Sequence, residues 1–365
     1  MTKRQLTVRD VEAAVLGGKF LGGGGGGWTA DGLALANEAM QTNAPMLISP
    51  DECGDDDIIV TAALVGAPAA KDQYVEPAHF VRTIERMESA LGTKVAGVIT
   101  NENGAAATVN GWIQAAKLGI PVIDAPCNGR AHPTGVMGSI GLHQLKDFVS
   151  IQAASGGRLD KYVEIVVKAS LERAATLVRN ASVQAGGVVA VARNPVTAGY
   201  VMQHGAVGAI TQAIELGHAM LRAQAHGARA VVDAALDFMS GARIATGKVA
   251  HVSLRTEGGF DVGEVTIGDV DMTFWNEYMT LERNGERLAT FPDLIMTMDT
   301  NTGMPLLTAE LQPGLDVTVV CVPRAHVKLG AGMHDEALFK VVETVVNKEI
   351  CKYVFAPSIG TAQTV

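Results

Sequence analysis

The chain of 365 residues is 48% hydrophobic and 18% charged, and 29 Lys and Arg against 38 Asp and Glu leave a net charge of −9. That balance excludes a disordered, solvating chain, and it offers no basic field to a nucleic-acid partner. Glycine is the outlier: 41 of 365 residues, about 11% against about 7% on average, so many backbone sites must need positive φ or close approach.

The first residues carry Arg4, Arg9, Asp10 and Glu12 with no apolar core between them, so no signal peptide is read there. No stretch is long and apolar enough to span a membrane, and Cys53, Cys127, Cys321 and Cys351 form no CxxC. A cytoplasmic protein with reduced thiols is the expectation. Residues 5–17 have helical spacing, and Lys19-Phe20-Leu21 leads as a short strand into six glycines, Gly22 to Gly27. Helices are expected at Trp28–Met40, 78–91 and Val109–Leu118, and strands at Met46–Ser49, Ile58–Leu64, Lys94–Thr100 and Pro121–Asp124. This alternation argues for an α/β domain with a largely parallel sheet over residues 1–155. Residues 156–242 read as a mainly helical segment packing on it, with one strand at Val188–Ala192. From 243 to 325 short alternating runs separated by turn signals, Asn284-Gly285 among them, mark a β-rich module. A C-terminal helix and tail occupy 326–365.

Three places could carry chemistry. The glycine run supports three readings: a dinucleotide fingerprint with Asp51 or Glu52 downstream, a tight turn with close backbone packing, or a cradle in which the amides of Gly24, Gly25 and Gly26 hold an anion. The acidic run from Asp51 to Asp57 reads first as a solvated loop, with a metal ligand or base as the alternative. The densest candidate follows the strand ending at Asp124, where Cys127, Asn128, Arg130 and His132 share one loop at the carboxyl edge of the sheet. Glu102, after the neighbouring strand, should converge on the same crevice. Glu102, Asp124, Cys127 and His132 could then divide acid and base roles or hold a divalent metal. Asn276 and Glu277 interrupt an apolar run in the β module and must be hydrogen-bonded or solvated, and with Asn128 and Arg130 they are the side chains expected to bind the substrate.

Taken in order, the glycine run, Gly66-Ala67-Pro68, Pro121–Asp124 with Gly129–Pro133, Gly258–Gly263, Asn276-Glu277-Tyr278, Ala289–Ile295 and Thr302–Pro305 resemble the S-methyl thiohydantoin desulfurase-like family over roughly residues 10–325. The resemblance implies a hydrolase acting on a hydantoin-like or S-methyl thiohydantoin-like five-membered ring, with loss of a thiol. It implies that Asp124 orients water or a metal, and that Arg130 and the glycine amides hold an anionic substrate. The partners expected are a small-molecule substrate, a second copy of the chain in a homo-oligomer and a hydantoinase-type enzyme, with neither nucleic acid nor membrane. The alternative is a non-catalytic binding subunit of such an enzyme.

Overall fold

The computed structural model describes residues 3–66, 70–257 and 260–355, so Ala67 and Pro68 of one family block and Gly258 and Gly259 of another lie outside the described residues. Two eight-stranded sheets organise the chain. The first contains β1 (Arg4–Gln5), β2 (Met46–Ile48), β3 (Ile58–Gly66), β4 (Gly97–Thr100), β5 (Val122–Ile123), β6 (Ser150–Gly156), β7 (Val163–Ala169) and β8 (Val188–Thr197). Their spatial order is β1-β2-β5-β4-β3-β8-β6-β7. β2, β5, β4 and β3 run parallel, whereas β8, β6 and β7 extend the sheet antiparallel to its β3 side. The continuous apolar sequence of β3 suits burial on both faces, and Ile59, Val60, Ala62 and Ala63 are buried. Its helices are α1 (Val8–Leu21), α2 (Thr29–Thr42), α3 (Pro77–Leu91), α4 (Trp112–Leu118), α5 (Leu171–Gln184) and α6 (Ala198–His204).

Two differences from the sequence expectation matter. Residues 150–169 form a hairpin, because Val163, Ile165 and Val167 alternate at period two with Glu164, the exposed Val166 and Lys168, and β8 joins it to β3. The α/β unit therefore continues to residue 197, beyond the boundary expected at 155. The short strand expected before the glycine run is also absent: α1 continues through Gly17 and Gly18 to Leu21. The reason lies in α7 (Ala209–Ala223), which crosses α1 at backbone contact and is followed by α8 (Ala228–Met239). A Cβ on Gly17 would sit 1.8 Å from the Ala213 carbonyl oxygen, and one on Gly217 would sit 1.9 Å from that of Ala13.

The second sheet is antiparallel throughout. It contains β9 (Ala242–Glu257), β10 (Phe260–Ile267), β11 (Val270–Trp275), β12 (Glu277–Arg283), β13 (Glu286–Thr290), β14 (Leu294–Asp299), β15 (Pro305–Leu306) and β16 (Asp316–Val322). Their order is β13-β12-β11-β10-β9-β16-β14-β15. Asn284 and Gly285 both have positive φ, 51° and 79°, in the turn that joins β12 to β13, as Asn-Gly predicts. α9 (Glu336–Val346) and α10 (Cys351–Val354) close the described chain. No helix among the described residues is long and apolar enough to cross a membrane.

α1 links the two cores. Val11, Ala13 and Val15 pack with Val60, Ala62 and Val98 of the first sheet, while Phe20 and Leu21 pack with Leu294, Met296 and Val320 of the second. The glycine run therefore emerges at the seam between the sheets. Gly217→Ala must push α7 off α1, at a cost of about 3 kcal/mol for inserting a methyl into a filled contact. Urea denaturation checks this; an unchanged midpoint would show that the helices can separate freely.

Candidate functional site

The glycine run threads a space that admits no side chains. Gly23, Gly24, Gly26 and Gly27 have positive φ. A Cβ on Gly23 would lie 2.6 Å from Arg130 Nη2, one on Gly25 2.1 Å from Glu277 Oε1, and one on Gly26 2.4 Å from the Gly104 Cα. The carbonyls of Gly23 and Gly24 accept from the backbone amides of Tyr278 and Thr308 at 2.8 and 2.9 Å, and the Gly26 carbonyl accepts from those of Ala106 and Ala107 at 3.1 Å. The loop is thus sutured to both halves of the chain. Because a helix precedes it, the strand–turn–helix context of a dinucleotide fingerprint is missing. Close backbone packing accounts for the glycines.

Arg130 reaches this loop from the segment after β5. Its Nε donates to the Ala131 carbonyl at 3.2 Å, and its Nη1 donates to those of Pro292 and Asp293 at 3.0 and 2.6 Å. The guanidinium carbon lies 4.5 Å from the centre of the Phe291 ring, and Nη2 has no partner. Burial lowers Arg130 to about 10, opposed by the negative charge of Glu277. Glu277, at the start of β12, is 2% exposed, and its Oε2 is also unpartnered. Burial, then the charge of Glu102, hold its carboxyl well above the usual range, with Arg130 pulling the other way.

Glu102 stands where the sequence places it, beyond β4 at the carboxyl edge of the parallel strands. Its side chain is 12% exposed, which makes it the carboxylate of the pair that solvent reaches. Burial raises it to about 7, against the pull of the His132 amide, Arg193 and Arg130. The His132 backbone amide donates to Glu102 Oε2 at 3.2 Å, and His132 Nε2 lies 3.3 Å from the same oxygen. Both ring nitrogens face carbonyls that can only accept, Nδ1 that of Thr134 at 2.9 Å and Nε2 that of Asn101 at 3.4 Å, and the closer contact assigns the hydrogen to Nδ1. Nε2 then presents a lone pair to Glu102, a partner for its carboxyl proton. Burial and Arg193 hold His132 down near about 4, so the imidazole is neutral at physiological pH.

The other expected residues are structural ties. Asp124 Oδ1 accepts from the amides of Ile210 and Thr211 at 2.8 and 3.2 Å, and Oδ2 accepts from the Thr211 hydroxyl. Both oxygens thus fasten the first turn of α7, where a carboxylate satisfies free amides and the helix dipole. Asn128 accepts from the Gly330 amide at 2.9 Å and donates to the Met137 carbonyl at 3.3 Å. Asn276, at φ 55°, accepts from the Asp261 amide at 2.9 Å and forms the turn between β11 and β12 that delivers Glu277. Cys127 is buried 3.4 Å from the Thr61 hydroxyl, and burial raises its thiol to about 11, far from an activated thiolate. In the acidic run, Asp51, Glu52, Asp55, Asp56 and Asp57 are exposed, as the solvated reading expects.

One member of the cluster was missed. Arg193 interrupts the apolar strand β8 directly after Val188–Ala192, and its charge is felt at Glu102, His132 and Cys127. A lone arginine inside a buried strand was the available signal. No group of three His, Cys, Asp or Glu side chains that could hold a metal ion occurs among the described residues. The donor set therefore does not fit a divalent metal.

Models described as "S-Me-THD-like, N-terminal domain" and "S-Me-THD-like, C-terminal domain" match residues 9–164 and 169–329. No curated protein matches the chain. Among solved structures it is similar to the X-ray crystal structure of a protein from Chromobacterium violaceum, a structural-genomics target, with a TM-score of 0.70 and 21% identity over 94% of this chain and 96% of that one. At that identity the likeness speaks for the fold alone.

The raised Glu102 carboxyl makes stability depend on pH. Its folded value, about 7, exceeds the ordinary 4.5, so the stability tied to its proton is complete below 4.5 and is lost as pH rises through about 7. Glu102→Gln remains neutral and escapes that loss. Its melting temperature relative to wild type should climb between about pH 5 and about pH 8; a pH-independent difference would place Glu102 in its ordinary ionised state.

Proposed function

This chain belongs to the S-Me-THD-like family, and we propose that it is a hydrolase of a hydantoin-like or S-methyl thiohydantoin-like five-membered ring. The observation that carries this reading is the buried Glu102–Glu277 pair beneath the glycine run, with Arg130 Nη2 and Glu277 Oε2 left unpartnered. Two carboxyls whose surroundings hold them at different protonation levels can divide acid and base work. Glu102, near neutrality and partly open to solvent, serves as the base. Glu277, raised further and enclosed, serves as the acid.

On an S-methyl thiohydantoin the steps balance as follows. Glu102 takes a proton from water, whose oxygen bonds to the ring carbon bearing the methylthio group. The carbon–nitrogen π pair moves to the ring nitrogen, which takes the proton of Glu277. The carbon–sulfur bond then breaks, the thiolate takes the proton held by Glu102, and the new hydroxyl returns one to Glu277 as it becomes a carbonyl. Arg130 Nη2 supplies a donor for the ring oxygen over the Phe291 face. His132, neutral and anchored through Nδ1, holds the Glu102 proton in line. Asp124 has no part in water activation in this scheme, because its oxygens are occupied by α7.

The test is thiol release from a panel of S-methyl thiohydantoins, with ring opening followed on the parent hydantoins. Glu102→Gln and Glu277→Gln should each lower kcat by on the order of 10²- to 10⁴-fold while ligand binding persists. Asp124→Asn should lower the melting temperature and leave the kcat of the folded fraction within about threefold. An active Glu102→Gln enzyme would remove the assigned base. Wild-type protein that binds these rings yet turns over none of them would favour a binding subunit.

A further inference from the structure

The turn between β13 and β14, whose Phe291 ring and Pro292 and Asp293 carbonyls cradle Arg130, is itself held from behind by the C-terminal segment. Thr290, Phe291 and Asp293 are each tied to residues 349–355 through one intermediary. Arg287 Nη1 donates to the Thr290 hydroxyl at 3.0 Å and to the Glu349 carbonyl at 2.8 Å, and its guanidinium carbon lies 4.5 Å from the centre of the Tyr353 ring. The Phe291 ring meets Phe339 of α9 at 5.4 Å, and Phe339 meets Phe355 at 5.0 Å, nearly perpendicular. Asp293 Oδ1 accepts from the Arg324 amide and Nε, each at 3.0 Å. On its other side Arg324 donates Nη1 and Nη2 to the Val354 and Tyr353 carbonyls at 3.4 and 3.3 Å. Residues 349–355 lie outside both stretches matched by the family models, the second of which ends at 329.

Burial does not account for these ties. None of the four residues of α10 is buried, and a single helical turn does not hold itself together in water. The segment is latched instead by Glu343, whose Oε1 accepts from the Ile350 and Cys351 amides at 2.7 and 2.8 Å, and by Arg324 at its last carbonyls, where a cation is favoured. What it reaches, through Arg287, Phe339 and Arg324, is the turn on which Arg130 rests. Arg130 is bonded to neutral carbonyls and lies against an aromatic face, so the aim of its free Nη2 follows the position of that turn. A shift of about 1 Å there breaks hydrogen bonds whose range is only a few tenths of an ångström. We propose that residues 349–355 form a strap that fixes the aim of Arg130 Nη2, with Arg324 and Phe355 as its positioning residues. This rests on the reading of Arg130 as the donor to the ring oxygen. The strap touches no reacting atom and leaves the Glu102–Glu277 pair alone. Its low intrinsic stability lets it open without global unfolding, and the guanidinium then loses its fixed direction while the acid and base stay in place.

The experiment is nuclear magnetic resonance of the Arg130 Nε–H group in the full chain, its signal identified by its loss in Arg130→Lys. Bonded to the Ala131 carbonyl and shielded by the Phe291 ring, it should stand apart from the exposed arginines and exchange slowly with water. Arg324→Gln and Phe355→Ala should each move it toward the exposed arginines and speed its exchange by about tenfold or more. Gly217→Ala, which strains the distant α1–α7 contact, should leave the signal where it is. On an S-methyl thiohydantoin the two strap variants should lower kcat/KM by on the order of 10- to 100-fold. That loss should be carried by KM, with kcat within about threefold, because the two carboxyls are untouched. A merely structural role would lower the folded fraction, and with it kcat, at an unchanged KM. Should Phe355→Ala fail to fold, Phe355→Leu keeps an apolar contact without the ring, and Arg324→Lys keeps the charge beside Asp293 without the forked donors. Each should shift the signal less and in the same direction. An Arg130 signal that stays in place in the strap variants, or that moves equally in Gly217→Ala, overturns the strap. A signal that moves as expected in a protein that turns over no ring leaves the strap standing and removes the hydrolase reading alone.

Discussion

Taking charge out of water is the constraint on which the seam of this molecule depends. Glu102, Arg130, Arg193 and Glu277 stand close enough for their charges to act on one another, yet among the described residues neither arginine closes an ion pair with either glutamate. In a filled interior such groups either neutralise or wait for a partner. The carboxyls take the first course by holding protons. The guanidiniums cannot, because even the lowered Arg130 remains charged at physiological pH. The surrounding framework carries the cost through rigid ties: three carbonyls on Arg130, the α1–α7 backbone contact, and the glycine run bonded to both halves.

The glycine run was conspicuous in the sequence, and its purpose was not. Six glycines satisfy almost any glycine motif, so the local pattern could not separate anion binding from packing. What separates them is the identity of the atoms a Cβ would strike, Arg130 and Glu277 among them, and these come from segments more than a hundred residues away. The alternation of strands and helices up to Asp124 was legible because period and length agree there. β6 and β7 were harder to read, because a short amphipathic hairpin lies next to the genuine helix α5. Gly17 and Gly18, which normally argue for a helix end, lie inside α1 because α7 leaves no room for a Cβ at Gly17 and the Gly104–Thr108 segment leaves none at Gly18.

Within the site, residue type was readable and assignment was not. Asp124, Cys127, Asn128, Arg130 and His132 all looked chemical in one loop, yet hydrogen bonds divide them. Asp124 and Asn128 hold backbone amides, and Cys127 sits as a neutral thiol. His132 pairs with Glu102, which arrives from the preceding strand end. A carboxylate committed to the start of a helix and one left half-satisfied are the same chemical group in a sequence. Only the three-dimensional count of donors tells them apart. Arg193 was hidden by the opposite effect, since a charged residue in an apolar strand draws less notice than a polar loop.

The interlocking of the sheets has an architectural consequence. β8 lies in the stretch matched by the second family domain, yet it pairs with β3 of the first. α1 lies in the first and buries Phe20 and Leu21 in the core of the second. A cut between the two matched stretches would take an interior strand from one sheet and a supporting helix from the other. The pair therefore folds as one unit rather than as exchangeable modules, and shuffling either half onto a foreign partner would dismantle the Glu102–Glu277 cluster along with the fold.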